Sequence, residues 1–182
     1  MYTPFGLYWN GMWQKPASGK SIPVISPVTE EVLGEAPAAN KSDTRKVVES
    51  AVSGTAQWRK VIAWERSRML RRVAEVMRER TDDMARWLSL ELGKPLDQSK
   101  GEVSMAIEQF EWYAEEAKRI YGHILESRQP HGKVLIQHEP IGVVAAFTSW
   151  NFPVVLAARK IAPALAAGCS VILFPAEEAP GS

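Results

Sequence analysis

Cysteine is scarce in this sequence, which holds one, Cys169. A single thiol cannot form an intramolecular disulfide framework, and this is typical of proteins from a reducing compartment. The amino-terminal stretch also lacks the basic segment and apolar run that mark a secretory leader. We therefore expect the protein to reside in the cytoplasm.

An excess of charge and long apolar runs are lacking as well. The 22 lysines and arginines almost balance the 21 aspartates and glutamates, so the formal net charge is +1. Nothing in that balance favours nucleic acid or a membrane surface as a partner. No apolar segment reaches the roughly 18 residues that a membrane-spanning helix needs. The histidines have no metal-ligand spacing, so we expect no metal site.

Two phosphate-binding signatures are also missing. No G-x-G-x-x-G follows the apolar run at 141–147, and no G-x-x-x-x-G-K-[ST] occurs in the chain. These absences exclude an ordinary dinucleotide fingerprint and a P-loop. Any nucleotide must therefore be held by other residues.

Apolar spacing predicts that the middle of the chain is helical. Alternating and β-branched residues over 7–33 first indicate two or three short strands. Four helices are then expected, starting at a cap on Ser42 or Asp43 and covering about 64–80, 81–92 and 96–121. The apolar positions expected to face the core are Val47, Val48, Ala51, Val52, Ala56, Met69, Leu70, Val73, Val76, Met77, Met84, Leu88, Leu92, Val103, Ile107, Phe110, Ala114 and Ala117.

The last third of the chain predicts a strand–helix–strand unit. Apolar runs at 141–147 and 170–174 are typical of parallel strands that are buried on both faces. A helix from Pro153 joins them by a right-handed crossover, and Pro163 should kink or interrupt that helix. A further strand is expected within 133–140.

Candidate site residues follow the two parallel strands, because open parallel sheets bind ligands beyond the carboxyl ends of their strands. Asn151 lies in the loop "TSWNFP", where its carboxamide could donate a hydrogen bond to a developing oxyanion or cap the turn or the next helix. Glu177 lies in the loop "FPAEEAP", where it could accept from ribose hydroxyls or be an exposed loop acid.

Two other reactive side chains have weaker claims. Lys160 is either a surface lysine or a charge aimed at the site. Cys169 precedes the second strand at its amino end, which is the wrong end for chemistry, so we expect a small buried packing residue.

The motifs from Pro140 to Pro180 together resemble the NAD(P)-dependent aldehyde dehydrogenase superfamily. The chain has "PIGVV", "SWNFP", Lys160 and "APALAAGCSVILFPAEEAP" in the order and spacing of that family. Upstream, "NGMW", "SPVTEEVLGEAP", "ERSRMLRRVAEVMRER" and "LELGKP" resemble its N-terminal part. The stretch "EWYAEEAKRIYG" and a cysteine at 169 are similar to the succinate-semialdehyde dehydrogenase branch.

The resemblance implies an enzyme in which a cysteine thiolate attacks an aldehyde, hydride passes to a nicotinamide and water releases the acid. It makes Asn151 the side-chain half of the oxyanion hole and places Lys160 near the active centre. Glu177 would bind the adenosine ribose and favour NAD over NADP, because a carboxylate repels a 2′-phosphate. The residues implied to line the cofactor cleft are Thr148, Ser149, Trp150, Asn151, Phe174, Ala176 and Glu177.

Three departures from the family pattern affect function. Phe174 stands where the family has a ribose-binding lysine, so we expect cofactor binding weaker by roughly tenfold to a hundredfold. Ser149 replaces the usual proline, which is a milder change. The family's nucleophilic cysteine, general-base glutamate and glycine motif have no match here, and Cys169 does not correspond to the nucleophile. We therefore expect this chain to be inactive by itself.

The fold class expected is α/β, an incomplete Rossmann-like parallel sheet with a layer of N-terminal helices and a short β arm. Residues 1–121 and 140–182 would form an incomplete cofactor-binding domain, and 122–139 a bridging arm for oligomerisation. The leading hypothesis is the N-terminal part of an aldehyde dehydrogenase. The alternatives are a non-catalytic protein that pairs with a full-length relative, and a standalone nucleotide-binding module, against which Phe174 argues.

Overall fold

A computed structural model describes residues 5–182. Residues 1–4, part of the stretch in which no leader is recognised, lie outside the described residues. The helices are α1 (Lys41–Trp58), α2 (Ala63–Glu79), α3 (Thr81–Leu92), α4 (Leu96–Glu116), a 3₁₀ turn (Ala117–Arg119) and α5 (Pro153–Ala166). The strands are β1 (Leu7–Trp9), β2 (Met12–Gln14), β3 (Ser21–Ile25), β4 (Val32–Pro37), β5 (His123–Glu126), β6 (Lys133–Ile136), β7 (Val143–Phe147) and β8 (Ser170–Phe174).

Helix α4 forms the centre of the helical layer and packs against α2, α3 and α5. Its predicted apolar stripe, from Val103 to Ala117, is buried as expected. This stripe packs against buried residues of the other three helices, among them Leu70, Leu88 and Ala158. The core therefore lies between the N-terminal helices and the helix that follows β7.

Helix α1 differs from the prediction at its start and on its outer face. Asn40, rather than Ser42 or Asp43, is the N-cap. In a capping box, its side chain accepts from the Asp43 amide and the Asp43 carboxylate accepts from the Asn40 amide. Val48 and Val52 were expected in the core, yet 57% of the Val52 surface is exposed. Met69 and Val73 of α2 are also exposed, because the buried stripe of α2 runs through Leu70 and Ala74 instead.

Three antiparallel hairpins lie outside the helical core. Strands β1 and β2 pair with each other, as do β3 and β4, so the amino-terminal region has four strands rather than two or three. The third hairpin joins β5 to β6, with Ile124 opposite Leu135. Every residue of β5 and β6 is exposed.

Strands β7 and β8 pair in parallel, with Val143 opposite Ser170 and Phe147 opposite Phe174. The crossover between them is α5, as the strand–helix–strand pattern predicts. The expectation that both faces of these strands are buried is wrong for the described residues, because 65% of the Phe147 surface is exposed. In the part of the chain that the structure describes, this sheet has two strands.

The turn from α5 into β8 depends on a glycine. Helix α5 continues past Pro163 to Ala166, so the proline does not interrupt it. Gly168 then adopts φ +88°, and a Cβ there would lie 2.8 Å from the Pro140 side chain. Only glycine meets both constraints without strain. Cys169 follows it, buried at the amino end of β8 as predicted.

Candidate functional site

The loops that follow β7 and β8 are tied together where the strands end. The Thr148 amide donates to the Phe174 carbonyl oxygen at 3.1 Å, and the Thr148 hydroxyl donates to the same oxygen at 3.4 Å. Each strand ends at this edge in a loop that carries predicted site residues. The structure therefore brings the two loops together at the carboxyl edge, as the strand order predicts.

Asn151 is exposed in the first loop and is held at two points. The Ser149 hydroxyl donates to its side-chain oxygen at 2.8 Å, and the Lys94 ammonium donates to its main-chain oxygen at 3.1 Å. Phe152 is the N-cap of α5, and its own side chain makes no capping hydrogen bond. The amides of Val154 and Val155 in the first turn donate to Glu102 instead of Asn151. The Asn151 carboxamide therefore does not cap α5, and its Nδ2 group can donate elsewhere.

Glu102, a residue of α4, holds the first turn of α5. One of its carboxylate oxygens accepts from the amides of Val154 at 3.0 Å and Val155 at 3.3 Å. The other oxygen pairs with the Lys94 ammonium. Glu102 has no exposed surface, so this charge is stabilised by the ion pair and by the free amides of the helix start.

Glu91, near the end of α3, holds the second loop in a similar way. Its carboxylate accepts from the amides of Gly181 and Ser182, both at 2.8 Å. Glu91 is also buried. Two buried glutamates of the helical layer thus each bind two successive amides of the segments that follow β7 and β8.

Phe174 faces an aromatic neighbour at the end of the sheet. Its ring stacks on that of Phe147, with centroids 4.6 Å apart and an interplanar angle of 12°. This offset stack explains how an aromatic side chain is accommodated at this strand end. It leaves no hydrogen-bond donor from position 174 toward a ribose.

A cleft of about 480 Å³ borders both loops. It is lined by Ile22, Pro23, Ile25, Pro27, Glu91, Leu92, Trp150, Glu177 and Glu178. Two of the predicted cofactor-binding residues, Trp150 and Glu177, therefore share one cleft. Ala176 stabilises the second loop from within, since its carbonyl accepts from the Ala179 amide at 3.2 Å. The lining of this cleft combines exposed carboxylates with an apolar wall.

Lys160 lies half-buried in the middle of α5. About 10 Å of helix separates it from the start of α5 beside Asn151, at 1.5 Å per residue. Its place near an active centre stays a prediction. Across residues 5–182, no cluster of three or more histidine, cysteine, aspartate or glutamate side chains could hold a metal ion. The helices of the same residues include none that is long and apolar enough to cross a membrane.

Sequence reasoning missed Lys94, Glu91 and Glu102. A signal was present for Glu102, which precedes the buried Ala106 and Phe110 by four and eight residues and so falls on the buried face of α4. A glutamate in that register must find partners inside the protein. The sequence does not say which partners, because the two amides that Glu102 binds come from residues 52 and 53 positions away.

A parallel βαβ unit with polar loops at its carboxyl edge and helices packed on it defines a Rossmann-like α/β protein. Residues 13–182 match the aldehyde dehydrogenase family. The crystal structure of succinate-semialdehyde dehydrogenase from Burkholderia pseudomallei superposes with a TM-score of 0.94 at 40% identity, covering 98% of this chain and 37% of that one. The chain belongs to the aldehyde dehydrogenase family.

Two curated relatives are similar at the level of sequence. Glutarate-semialdehyde dehydrogenase of Pseudomonas putida is 46% identical over 175 residues, which are 96% of this chain and 36% of that protein. Succinate-semialdehyde dehydrogenase [NADP(+)] of Escherichia coli is 42% identical over 95% of this chain and 36% of that protein. The chain thus spans about a third of these relatives' length and corresponds to their N-terminal part.

Proposed function

We propose that this chain forms the cofactor-side portion of an NAD(P)-dependent aldehyde dehydrogenase, which oxidises an aldehyde to a carboxylate. The observation that supports this most directly is the exposed Asn151 carboxamide, whose oxygen is occupied by Ser149 and whose Nδ2 group is left to donate. A donor in this place would stabilise the oxyanion that forms when a thiolate adds to the aldehyde carbonyl. The nicotinamide, when bound, accepts the hydride released from that adduct.

The proposed substrate is a semialdehyde, which carries one carboxylate besides the aldehyde, with succinate semialdehyde as the first candidate. This rests on the names of the relatives, which act on glutarate and succinate semialdehydes. The chain is 46% and 42% identical to these two relatives, and this supports placing it in the semialdehyde dehydrogenase branch of the family.

The proposed cofactor is NAD, bound weakly. Glu177 is exposed at the cleft that Trp150 also lines, where its carboxylate can accept from ribose hydroxyls and would repel a 2′-phosphate. The E. coli relative is named for NADP(+), so this preference would separate the two proteins. Weak binding is expected because Phe174 offers the ribose no donor.

We further propose that these 182 residues do not oxidise aldehydes by themselves. Their one cysteine, Cys169, is buried at the amino end of β8, whereas Asn151 follows the carboxyl end of β7. An oxyanion donor without an exposed thiol has no nucleophile to assist. The site residues of this chain would therefore bind and orient the aldehyde and the cofactor. The nucleophile would have to come from residues outside these 182.

The test combines turnover and binding on the purified chain. Succinate or glutarate semialdehyde is mixed with NAD or NADP and absorbance at 340 nm is followed, while cofactor binding is titrated in parallel. We expect no reduced cofactor, and NAD binding with a Kd on the order of 1 mM that is still tighter than NADP binding. Turnover by the chain would contradict the proposed inactivity, and tighter NADP binding would contradict the role of Glu177.

A non-catalytic interaction protein is the second candidate, and the exposed β5–β6 hairpin favours it. We propose that residues 122–139 form an oligomerisation arm, and that 1–121 with 140–182 form the incomplete cofactor-binding domain. The arm would join two copies of this chain or pair it with a full-length relative. A cytoplasmic location fits either role, because the single thiol is free and buried.

A further inference from the structure

A buried ion pair from the helical layer reaches the loop that carries Asn151. Glu102 is fully buried, and only 13% of the Lys94 side chain is exposed. We propose that Lys94 and Glu102 are positioning residues that fix the Asn151 backbone, and that Ser149 sets the direction of its carboxamide. The purpose of this arrangement rests on the proposed function, in which Asn151 donates to the oxyanion.

Glu102 fixes where the loop ends. Its carboxylate accepts from the amides of Val154 and Val155, which lie in the first turn of α5 and lack partners within that helix. A negative charge is also stabilised at the positive end of the helix. Because Glu102 belongs to α4, the start of α5 is attached to the helix at the centre of the core.

Lys94 connects Glu102 to Asn151. Its ammonium pairs with Glu102, donates to the Asn151 main-chain oxygen at 3.1 Å and lies 4.2 Å from the centre of the Phe152 ring. An ammonium has three protons to donate, and an aromatic face is a favourable neighbour for it. The two residues that precede α5 are therefore held by a single cation whose own position is set by a buried carboxylate.

Ser149 controls the remaining freedom of Asn151, which is rotation of the carboxamide. Its hydroxyl donates to the Asn151 side-chain oxygen at 2.8 Å, so that oxygen is the occupied end of the group. The Nδ2 end, which has two protons, then points away from Ser149. A proline, which the family pattern has at this position, has no hydroxyl to do this.

The test is nuclear magnetic resonance of the ¹⁵N-labelled 182-residue chain, without aldehyde or cofactor. The side-chain amide signals of Asn151 are identified by their loss in Asn151→Asp. The double variant Lys94→Met/Glu102→Gln removes both buried charges together, so neither is left unpaired. Lys94→Arg keeps a donor, and Ser149→Ala removes the hydroxyl. Lys100→Met is the control, because Lys100 is a lysine of α4 but pairs with the exposed Asp82 of α3.

We expect the Asn151 amide signals to move or broaden in the double variant and in Ser149→Ala, and to stay in place in Lys94→Arg and Lys100→Met. The backbone amides of Val154 and Val155 should remain protected from hydrogen exchange in the double variant, because glutamine still offers an oxygen. In Glu102→Ala their exchange should accelerate roughly tenfold, the effect of one lost hydrogen bond.

Asn151 signals that stay unmoved in the double variant would overturn the proposal. So would equal changes in Lys100→Met, since that would show general loosening rather than positioning. Because the measurement needs neither turnover nor cofactor, its result is independent of the test of the proposed function. A chain that fails to bind NAD can still show the Asn151 response, and an unresponsive Asn151 leaves the proposed function standing.

Discussion

Phe174 is the residue at which this chain departs most clearly from the pattern of its family. Its ring stacks on Phe147 at the ends of the paired parallel strands. An offset aromatic pair contributes about 0.5–1.5 kcal/mol beyond the area it buries. A charge-assisted hydrogen bond to a ribose contributes about 1.5–3 kcal/mol. If Phe174 lies beside the ribose as proposed, the ring adds stability to the sheet end but gives the cofactor no hydrogen bond.

Restoring the lysine should strengthen cofactor binding. Phe174→Lys is expected to lower the Kd for NAD by roughly tenfold to a hundredfold, because it returns a charged donor to the ribose. Isothermal titration of the purified chain measures this. Phe174→Leu is the matched control, since it removes the stack without adding a donor. An equal gain in Phe174→Leu would show that the ring blocks the cofactor, and no gain in Phe174→Lys would place the ribose elsewhere.

At the scale of elements, the β5–β6 hairpin is the least covered part of the structure. Ile124 and Leu135 are directly opposite each other and are 71% and 63% exposed. Leu125 and Val134 pair on the opposite face and are exposed as well. An exposed two-stranded hairpin is marginally stable by itself, and the apolar residues on both faces support the proposal that 122–139 form an oligomerisation arm.

Removing the apolar pair should weaken self-association. The double variant Ile124→Ser/Leu135→Ser is expected to shift the chain toward the monomer in sedimentation velocity, because both apolar side chains on that face of the arm are replaced. The control is Val28→Ser/Val32→Ser, which alters exposed residues of the β3–β4 region. A wild-type chain that stays monomeric at all concentrations would contradict the proposal that residues 122–139 join two copies of the chain. A stable complex with the full-length P. putida relative would favour the second candidate function.

The sequence predicted elements well where local pattern and burial agree. The apolar stripe of α4 and the βαβ unit follow from the spacing of apolar residues. The end of α3 at Leu92 follows from turn chemistry, since Gly93 comes next with a positive φ. Val48 and Val52 have the right spacing for a core face, yet they are exposed, since periodicity identifies an apolar face and not what covers it. Of the candidate site, Asn151 and Glu177 were singled out by their places after the strands and Trp150 by the family resemblance, and their roles stay predictions. Lys94 and Glu102 were not singled out, because they act through contacts between distant segments.

At the scale of the whole molecule, apolar surface remains open beside the parallel sheet. A groove of about 650 Å³ is lined by Val52, Thr55, Ala56, Arg59, Lys60, Gly142 and Val143. The exposed Phe147 lies on the same sheet. This chain spans about a third of the length of its relatives. We propose that the 182-residue chain supplies the oxyanion donor Asn151 and the ribose-binding acid Glu177. Catalysis then needs a nucleophile from residues outside this chain.

A chimera tests that claim most directly. This chain replaces the matching N-terminal part of the P. putida glutarate-semialdehyde dehydrogenase, to which it is 46% identical, and NADH formation from glutarate semialdehyde is followed at 340 nm. We expect the chimera to be active. Asn151→Ala should lower its kcat by roughly 100- to 1,000-fold, and Lys100→Met should leave kcat unchanged. An active chimera whose kcat is the same with and without the Asn151 carboxamide would contradict the account.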